Sequence, residues 1–250
     1  MTSSTALARD LDFSGRRVLI TGAANGFGAA IAERFAEHGA TLLLADIEAA
    51  PLGAIAARLG AAAHPFDQAD PQSVERLAAA VGEIDILINN AGILVAKPLL
   101  ETSLEEVRRL LDTDLVGVIR LMQLFGRGMV ERGRGVILSI GSQTAFTGGE
   151  NRAVYAAAKA AISQLTRAAA VEWGRHGVRV VCLAPGRALT RMTKLTADPA
   201  YAGDRGLGRV PLGRWGTAEE ISKLALLLAC DAAGYVTGET LIADGGYVIG

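Results

Sequence analysis

Short apolar runs alternate with longer helical patterns along nearly the whole chain of 250 residues. This alternation is typical of βαβ units, in which helices join parallel strands and cover the sheet. We therefore predict an α/β fold whose strands are buried on both faces. The predicted strands lie near residues 17–20, 41–45, 61–66, 84–89, 136–140, 178–184 and 240–243, and the longest predicted helices span about 104–130 and 153–173.

Composition argues against several functional classes. The net charge of −1 provides no basic field that would attract a nucleic-acid backbone. The chain has no apolar stretch of membrane-spanning length and its first residues lack a signal-peptide pattern, so we expect a cytoplasmic protein. Cys182 and Cys230 lie in apolar runs and are expected to be reduced core residues. The residues His38, His64 and His176 are too scattered to predict a metal site.

The first predicted strand runs into TGAANGFG, residues 21–28, which places three glycines in a strand-to-helix turn. Gly22, Gly26 and Gly28 permit a tight turn and a close backbone approach. The helix that follows offers free N–H groups and the positive end of its dipole to a pyrophosphate. Structural turns also use glycine, so the motif is informative mainly through its context.

The second predicted strand ends at Asp46, about two dozen residues after Gly22. A carboxylate at this place accepts hydrogen bonds from the adenosine ribose hydroxyls and repels a 2′-phosphate, which favours NAD. The residues 23–25 bring no arginine that would offset this repulsion. The alternative is that Asp46 caps the helix that follows it.

Polar residues also follow the next strands along the same edge. Asp67 follows the third predicted strand, NNAG at residues 89–92 follows the fourth, and Ser142 in SIGSQTAF follows the fifth. Ligands of open α/β sheets bind at this edge. A serine there can hydrogen-bond a substrate oxygen. Each of these residues taken alone also fits ordinary turn chemistry.

One tyrosine and one lysine stand in an alanine-rich segment, AVYAAAKAAI at residues 153–162. Positions four apart share a helix face, so Tyr155 and Lys159 are predicted to lie side by side. The reference pKa of tyrosine, about 10, is too high for efficient proton transfer near neutral pH. We expect the Lys159 ammonium to lower the pKa of Tyr155 toward the working range.

Taken together, TGAANGFG, NNAG, Ser142, YAAAK and APG at residues 184–186 resemble the 250-residue branch of the short-chain dehydrogenase/reductase family. The likeness extends from about Phe13 to Tyr247. It implies a single Rossmann-like domain over residues 1–250, with a doubly wound parallel sheet of about seven strands and helices on both faces. It also implies a homotetramer and hydride transfer between NAD(P) and a carbonyl or alcohol.

The resemblance assigns roles by position. Tyr155 is the general acid/base, Lys159 binds the nicotinamide ribose, Ser142 holds the reacting oxygen, and the polar segment 187–210 is a substrate lid. The implied cofactor-binding residues are Gly22, Asn25, Gly26, Phe27, Gly28, Asp46, Ile47, Asp67, Gln68, Asn89, Ala91, Gly92, Tyr155, Lys159, Pro185, Gly186, Ala188 and Thr190.

Three positions depart from the family's usual pattern. Asp114 and Val181 stand where the family usually has asparagine, and Phe27 fills a position that is usually aliphatic. We include Asp114 among the expected catalytic residues. Its carboxylate would favour a charged Lys159 but oppose a phenolate at Tyr155, so the sequence leaves the sign of its net effect open.

Polar side chains around the catalytic pair indicate the substrate class. Each polar group that loses water without gaining a partner costs about 1 to 3 kcal/mol, so a donor-rich site favours a hydroxyl-rich or anionic substrate. Arginine suits a carboxylate in particular. The alternative is that Glu150 and Arg152 pair at the surface or across a subunit contact. The expected substrate-binding residues are Gln143, Glu150, Asn151, Arg152 and Arg187.

These expectations favour an NAD-dependent dehydrogenase that acts on a secondary hydroxyl of a small polyol, sugar or hydroxy acid. The stretches FGRGMVERGRG and QLTRAAAVEW are similar to those of sugar-alcohol dehydrogenases of the galactitol type. One alternative is a ketoacyl-type reductase, for which GILVAKPLL at residues 92–100 would form an apolar wall. The other is a dinucleotide-binding protein without turnover, suggested by Asp114.

Overall fold

Seven parallel strands form one sheet in a computed structural model that describes residues 3–188 and 204–250. The strands are β1 (Arg17–Thr21), β2 (Thr41–Asp46), β3 (Ala62–Pro65), β4 (Ile86–Asn89), β5 (Gly135–Ile140), β6 (Val178–Pro185) and β7 (Thr240–Ala243). Their order is β3-β2-β1-β4-β5-β6-β7, and every neighbouring pair is parallel. The strand order reverses between β1 and β4, which opens a crevice at the carboxyl ends of these strands. The predicted doubly wound sheet is confirmed.

Helices cover both faces of this sheet. They are α1 (Ser3–Asp10), α2 (Gly26–Glu37), α3 (Ala49–Leu59), α4 (Pro71–Val81), α5 (Leu104–Leu111), α6 (Gly117–Arg132), α7 (Ala153–Trp173) and α8 (Ala218–Ala229). Alternate residues of β1 point to opposite faces, because Ile20 packs in the core under α2, α3 and α8 while Leu19 packs under α4, α6 and α7. Cys182 and Cys230 are buried free thiols, as predicted.

Burial differs between the centre and the edges of the sheet. The central strands β1, β4 and β5 are almost wholly buried, as predicted. The expectation is wrong for β3, in which Ala62, Ala63 and Pro65 are exposed. At the other edge, Leu241 of β7 is exposed as well. Each of these strands has a neighbour on one side only, so fewer contacts cover its side chains.

A π-helical turn interrupts the long helix that was predicted over residues 104–130. Helix α5 ends at Leu111, the turn spans Asp112–Val116, and α6 begins at Gly117. A β-carbon on Gly117 would lie 2.3 Å from the backbone carbonyl oxygen of Gln68, so the helix touches the chain after β3 at this point. The prediction of one continuous helix is therefore wrong. The turn carries Asp114 inward, where its side chain is fully buried.

The described part of the chain contains no helix that is long and apolar enough to cross a membrane. The same residues bring together no group of three or more histidine, cysteine or acidic side chains that would hold a metal ion. Most of the segment predicted as a lid, together with Thr190, lies outside the described residues.

Candidate active site

The glycine-rich turn joins β1 to α2 at the crevice. Gly28 lies so close to the preceding turn that a β-carbon there would be 2.1 Å from the Gly22 carbonyl oxygen. The Asn90 amide donates hydrogen bonds of 3.0 Å to the carbonyl oxygens of Thr21 and Gly22. The turn is thus fixed to the loop after β4, and only glycine fits at position 28.

The N-terminus of α2 faces this turn without a side-chain cap. Asn25 occupies the capping position, but its side chain accepts no hydrogen bond from the helix and instead donates to the Glu48 carboxylate at 2.8 Å. The first N–H groups of a helix lack partners within the helix, and they carry the positive end of its dipole. This donor set fits the pyrophosphate of a dinucleotide, as do the closely packed glycines.

Asp46 forms a fixed acceptor at the end of β2. One of its carboxylate oxygens accepts from the N–H of Ala24 and the other from the N–H of Glu48, each at 2.9 Å. The capping residue of α3 is Glu48, so Asp46 holds a turn and does not cap that helix. Ile47 is 66% exposed beside it and offers an apolar surface. Asp46 and Glu48 give this end of the crevice two carboxylates.

The other residues expected along the adenosine side differ in how far other parts of the protein already occupy their hydrogen-bonding groups. The Gln68 amide donates to the carbonyl oxygens of Ala91 and Thr113 at 3.3 and 2.7 Å. The Asn89 amide donates to the Ser139 hydroxyl at 3.3 Å. Gln68 and Asn89 are both buried, so in this structure they mainly join parts of the protein to each other. Asp67 is half-buried, and its carboxylate accepts from the N–H of Ala69 at 2.9 Å.

Ala91 and Gly92 line the loop after β4, where Asp114 reaches them from the π-turn. One oxygen of Asp114 accepts from the N–H of Ile93 at 2.8 Å. A β-carbon on Gly92 would lie 2.8 Å from the other oxygen, Oδ2. The same oxygen is 3.1 Å from the ammonium nitrogen of Lys159. Asp114 therefore connects the cofactor loop to α7.

Lys159 is buried in α7, where it is held by groups from two other elements. Its ammonium donates to the carbonyl oxygen of Ile140 at 3.3 Å and pairs with Asp114. Burial by itself lowers the pKa of Lys159, but the negative charge of Asp114 and, after it, that of the ionised Tyr155 outweigh burial, so the pKa is raised. The lysine therefore keeps its charge in a site almost closed to water.

Tyr155 lies on α7 one turn before this lysine, and Ser142 follows the end of β5, whose Ile140 carbonyl oxygen accepts from the lysine. The Lys159 ammonium nitrogen lies 5.6 Å from the centre of the Tyr155 ring, which is half-buried. The Ser142 hydroxyl oxygen accepts from the N–H and the hydroxyl of Thr144, at 3.2 and 2.9 Å. With its oxygen fixed by two donors, Ser142 has its own O–H proton left to donate.

Gln143 follows Ser142 and faces the turn after β6. Its carbonyl oxygen, Oε1, is buried and has no hydrogen-bond partner. A β-carbon on Gly186 would lie 2.9 Å from this oxygen and 2.5 Å from the α-carbon of Asp244. A buried acceptor without a partner is costly unless a ligand or water satisfies it. Gln143 is thus suited to accept a hydrogen bond from a substrate hydroxyl.

The remaining substrate residues of the sequence prediction lie just before α7 and directly after Gly186. Asn151, just before α7, has a φ of 58° in the left-handed region, which asparagine tolerates. Glu150 is exposed, whereas Arg152 is half-buried. Arg187 follows Gly186 and lies 5.1 Å from the centre of the Trp215 ring.

Two further positions border the turn after β6. Pro185 ends this strand, and Ala188 is buried and forms an isolated β-bridge with Gly216.

Several residues that shape the site were not predicted from the sequence. Asn90 stood within the NNAG motif, so the motif contained a signal for it. Glu48 lies two residues after Asp46, which was a weaker signal. Nothing in the local sequence indicated that Arg209 and Tyr247 would meet, with 4.7 Å between the guanidinium carbon and the centre of the ring.

Comparisons with known proteins agree with this geometry. A family model described as enoyl-(acyl carrier protein) reductase matches residues 22–248. Galactitol 2-dehydrogenase (L-tagatose-forming) of Cereibacter sphaeroides is 40% identical over 92% of this chain and 94% of its own length. D-threitol dehydrogenase of Mycolicibacterium smegmatis is 38% identical over the full length of both chains. The 3-oxoacyl-(acyl-carrier-protein) reductase of Escherichia coli is also 38% identical, over 94% of this chain and 98% of its own.

A solved structure matches at the level of the whole fold. It is described as a gluconate 5-dehydrogenase from Burkholderia cenocepacia in complex with NADP and tartrate. The TM-score is 0.90 at 34% identity, and the match covers 98% of this chain and 99% of the other. The relatives thus include dehydrogenases of polyols and sugar acids as well as a ketoacyl reductase.

Proposed function

Because the chain belongs to the short-chain dehydrogenase/reductase family, we propose that it is an NAD(H)-dependent oxidoreductase acting on a small polyol, sugar or hydroxy acid. The reaction interconverts a secondary alcohol and the corresponding carbonyl. The observation that carries the proposal is the arrangement of Tyr155 beside the buried and charged Lys159, whose ammonium donates to the carbonyl oxygen of Ile140 at the end of β5, two residues before Ser142.

The chain's own residues handle the proton and the reacting oxygen. In the oxidation direction the Tyr155 phenolate takes the proton of the substrate hydroxyl, and in reduction the phenol returns it. The Lys159 ammonium stabilises the phenolate because it lies against the ring in a buried site. Ser142 donates its O–H to the substrate oxygen and so orients it. A bound nicotinamide dinucleotide would accept or supply the hydride.

The carboxylates at the end of β2 support NAD as the cofactor. Asp46 is fixed by two backbone N–H groups, and Glu48 is drawn to the same turn by Asn25. A 2′-phosphate would bring a double negative charge close to both carboxylates. In the proposed complex Asp46 accepts from the ribose hydroxyls, and the first N–H groups of α2 bind the pyrophosphate. The other residues of the cofactor set remain predictions.

The polar residues expected to contact the substrate support a hydroxyl-rich molecule. The unpartnered Gln143 oxygen needs a donor, and a polyol offers several hydroxyl groups. The half-buried Asn151, Arg152 and Arg187 add further polar groups along the substrate side. Relatives that are named for galactitol, threitol and gluconate support the same substrate class.

A ketoacyl-type reductase is the second candidate function. The segment after the cofactor loop contains Leu99, Leu100 and Leu104, which are all exposed and would suit a longer apolar substrate. The identity to the Escherichia coli reductase supports this alternative. A dinucleotide-binding protein without turnover is the third candidate function. Any measurable oxidation of an alcohol would exclude it.

We further propose a homotetramer located in the cytoplasm. Val171 on α7 and Tyr235 and Ile249 near the C-terminus are large apolar or aromatic side chains that are exposed in the single chain. Subunit contacts in the proposed tetramer would cover these side chains. Light scattering combined with size-exclusion chromatography tests the tetramer directly.

The deciding experiment is a steady-state screen followed at the nicotinamide absorbance. Galactitol, D-threitol and D-gluconate are tested for oxidation with NAD and with NADP. An acetoacetyl thioester is tested for reduction with NADH and with NADPH. We expect oxidation of at least one polyol or sugar acid, with a higher kcat/KM for NAD than for NADP. A higher kcat/KM for reduction of the thioester than for oxidation of any of the three sugar-derived alcohols would support the ketoacyl alternative instead.

A further inference from the structure

Two arginines share one aromatic ring near the turn after β6, where Gly186 packs against Gln143. The guanidinium carbons of Arg187 and Arg209 lie 5.9 and 4.7 Å from the centre of the Tyr247 ring, and Arg187 also lies over Trp215. We propose that these four residues, the arginine–tyrosine cluster, bind a carboxylate group of the substrate and so select sugar acids over neutral polyols. This inference rests on the function proposed above.

The position of the cluster relates it to the reacting groups. Arg187 directly follows Gly186, which packs closely against Gln143 and Asp244. Gln143 in turn directly follows Ser142, so the cluster begins beside the residue expected to orient the reacting oxygen. A substrate whose hydroxyl lies at Ser142 would extend past Gln143 toward Arg187.

The backbone near the C-terminus holds the ring in place. The N–H of Leu212 donates to the carbonyl oxygen of Gly245 at 3.1 Å, which joins the turn at the end of the chain to the segment after Arg209. Asp244 fixes the turn that carries Tyr247, because its carboxylate accepts from the N–H groups of Gly246 and Val248 at 2.9 and 2.8 Å. These hydrogen bonds hold the turn that carries the Tyr247 ring, so the guanidinium groups stack on a fixed surface.

The charges of the cluster favour an anion. Among the side chains of residues 7–188 and 207–250, no ion pair joins Arg209 to an acidic group, and the carboxylate of Asp244 is already occupied by backbone N–H groups. Arg209 therefore brings a positive charge to the Tyr247 ring with which an anionic group of the substrate would pair.

Stacking also prepares the arginines for recognition. A guanidinium that lies on an aromatic face keeps its N–H groups at the edge, where they can donate in the planar geometry that a carboxylate accepts. Arginine usually recognises a carboxylate through two parallel hydrogen bonds, which this orientation of the N–H groups would permit. A hydroxymethyl group at the same place would gain no charge interaction.

The test compares pairs of substrates whose members differ only at the terminal carbon that would meet the arginines. D-Gluconate carries a carboxylate where D-glucitol carries a hydroxymethyl group, and D-galactonate and galactitol form a second pair. The variants are Arg187→Ala, Arg209→Ala and Tyr247→Leu, with Arg209→Lys to restore the charge. Arg175→Ala is the matched control, because Arg175 is exposed at the amino end of β6, on the opposite edge of the sheet.

We expect Arg209→Ala to raise KM for the sugar acid at least tenfold while kcat/KM for the polyol changes less than twofold. Arg187→Ala and Tyr247→Leu should each raise KM more for the sugar acid than for the polyol. Arg209→Lys should recover part of the loss, and Arg175→Ala should change neither substrate. The wild-type preference for the sugar acid should also weaken as salt is raised. An equal loss on both members of a pair, or no loss on either, would overturn the proposal.

A binding measurement separates failure of this inference from failure of the proposed function. Titration calorimetry of D-gluconate into the protein loaded with NADH needs no turnover. Tighter binding of D-gluconate than of D-glucitol, lost in Arg209→Ala, supports the cluster even when neither compound is oxidised. If the wild type oxidises polyols but binds both compounds equally, the cluster proposal is wrong and the dehydrogenase function stands.

Discussion

The Asp114 carboxylate lies 3.1 Å from the Lys159 ammonium, and the two side chains are almost wholly enclosed. The pair thus carries little net charge beside Tyr155. A buried pair of this kind is strongly destabilised when one partner alone is removed, because a buried charge is left without compensation. The carboxylate therefore keeps Lys159 charged but also reduces the positive field that reaches the tyrosine.

This relationship predicts the effect of Asp114→Asn on the pH profile. The amide keeps the shape and still accepts from Ile93, but it no longer offsets the lysine charge. We expect the acidic limb of kcat/KM for alcohol oxidation to move to lower pH by about one unit, the lower end of the shifts that one nearby charge produces. A move to higher pH would instead show that Lys159 loses its proton when Asp114 is gone.

Tyr155→Phe tests the assignment of the proton-transfer group. The change removes only the hydroxyl, so we expect kcat to fall by about 10² to 10⁴ while the affinity for NADH, measured by fluorescence titration, stays within about twofold. Tyr235→Phe is the matched control, because that ring is fully exposed. A Tyr155→Phe protein with near wild-type kcat would rule out the assignment.

Asp46→Asn and Glu48→Gln test the choice of cofactor. Each change removes a negative charge near the expected 2′-position but preserves the size of the side chain. We expect Asp46→Asn to raise the ratio of kcat/KM for NADP to that for NAD about tenfold, equivalent to about 1.4 kcal/mol, and Glu48→Gln to raise it less. Glu83→Gln, at the amino end of β4, serves as the control. Equal use of both dinucleotides by the wild type would contradict the role given to Asp46.

Replacement of two helical glycines by alanine should change the free energy of unfolding in opposite directions. In Gly28→Ala the new β-carbon would meet the Gly22 carbonyl oxygen, which belongs to the backbone and cannot move aside easily. We expect a loss of about 1 to 3 kcal/mol in the free energy of unfolding, together with weaker cofactor binding. In Gly53→Ala, within α3, nothing lies within 4 Å of the new atom, so we expect a gain of about 0.5 to 1 kcal/mol. Chemical denaturation measures both.

Acid stability should depend on two capping boxes. Ser103 pairs with Glu106 at the start of α5, and Thr217 pairs with Glu220 at the start of α8. Lys97 and Ser103 lower the pKa of Glu106 to about 2, and Arg214 and Thr217 lower that of Glu220 to about 2, from 4.5 for both. A lowered pKa adds stability that is present above pH 4.5 and is lost as the pH falls toward 2.

We therefore expect Glu220→Gln to have a lower melting temperature than the wild type at neutral pH. The difference should shrink between pH 4.5 and 2, since the wild-type carboxylate becomes neutral in that range. High salt should also reduce it, because the group is exposed. A difference that persists unchanged at pH 2 would mean that charge is not its cause.

The sequence by itself determined the layout of the fold. Strand positions, the helix over Ala153–Trp173 and the glycine-rich turn follow from patterns that are local in the chain. A period of two or of 3.6 residues and a glycine at a fixed offset reflect backbone geometry within a few residues. The juxtaposition of Tyr155 and Lys159 was predictable for the same reason, because four residues on a helix return to one face.

Only the tertiary structure decided contacts between residues that are far apart in the chain. The π-turn that directs Asp114 to Lys159 ends where Gly117 packs against Gln68, a contact that helical periodicity does not reveal. Likewise, Tyr247 meets Arg187 and Arg209 because β7 lies beside β6 at the edge of the sheet. The order of strands, and not the local sequence, brings these side chains together, since packing selects which distant segments become neighbours.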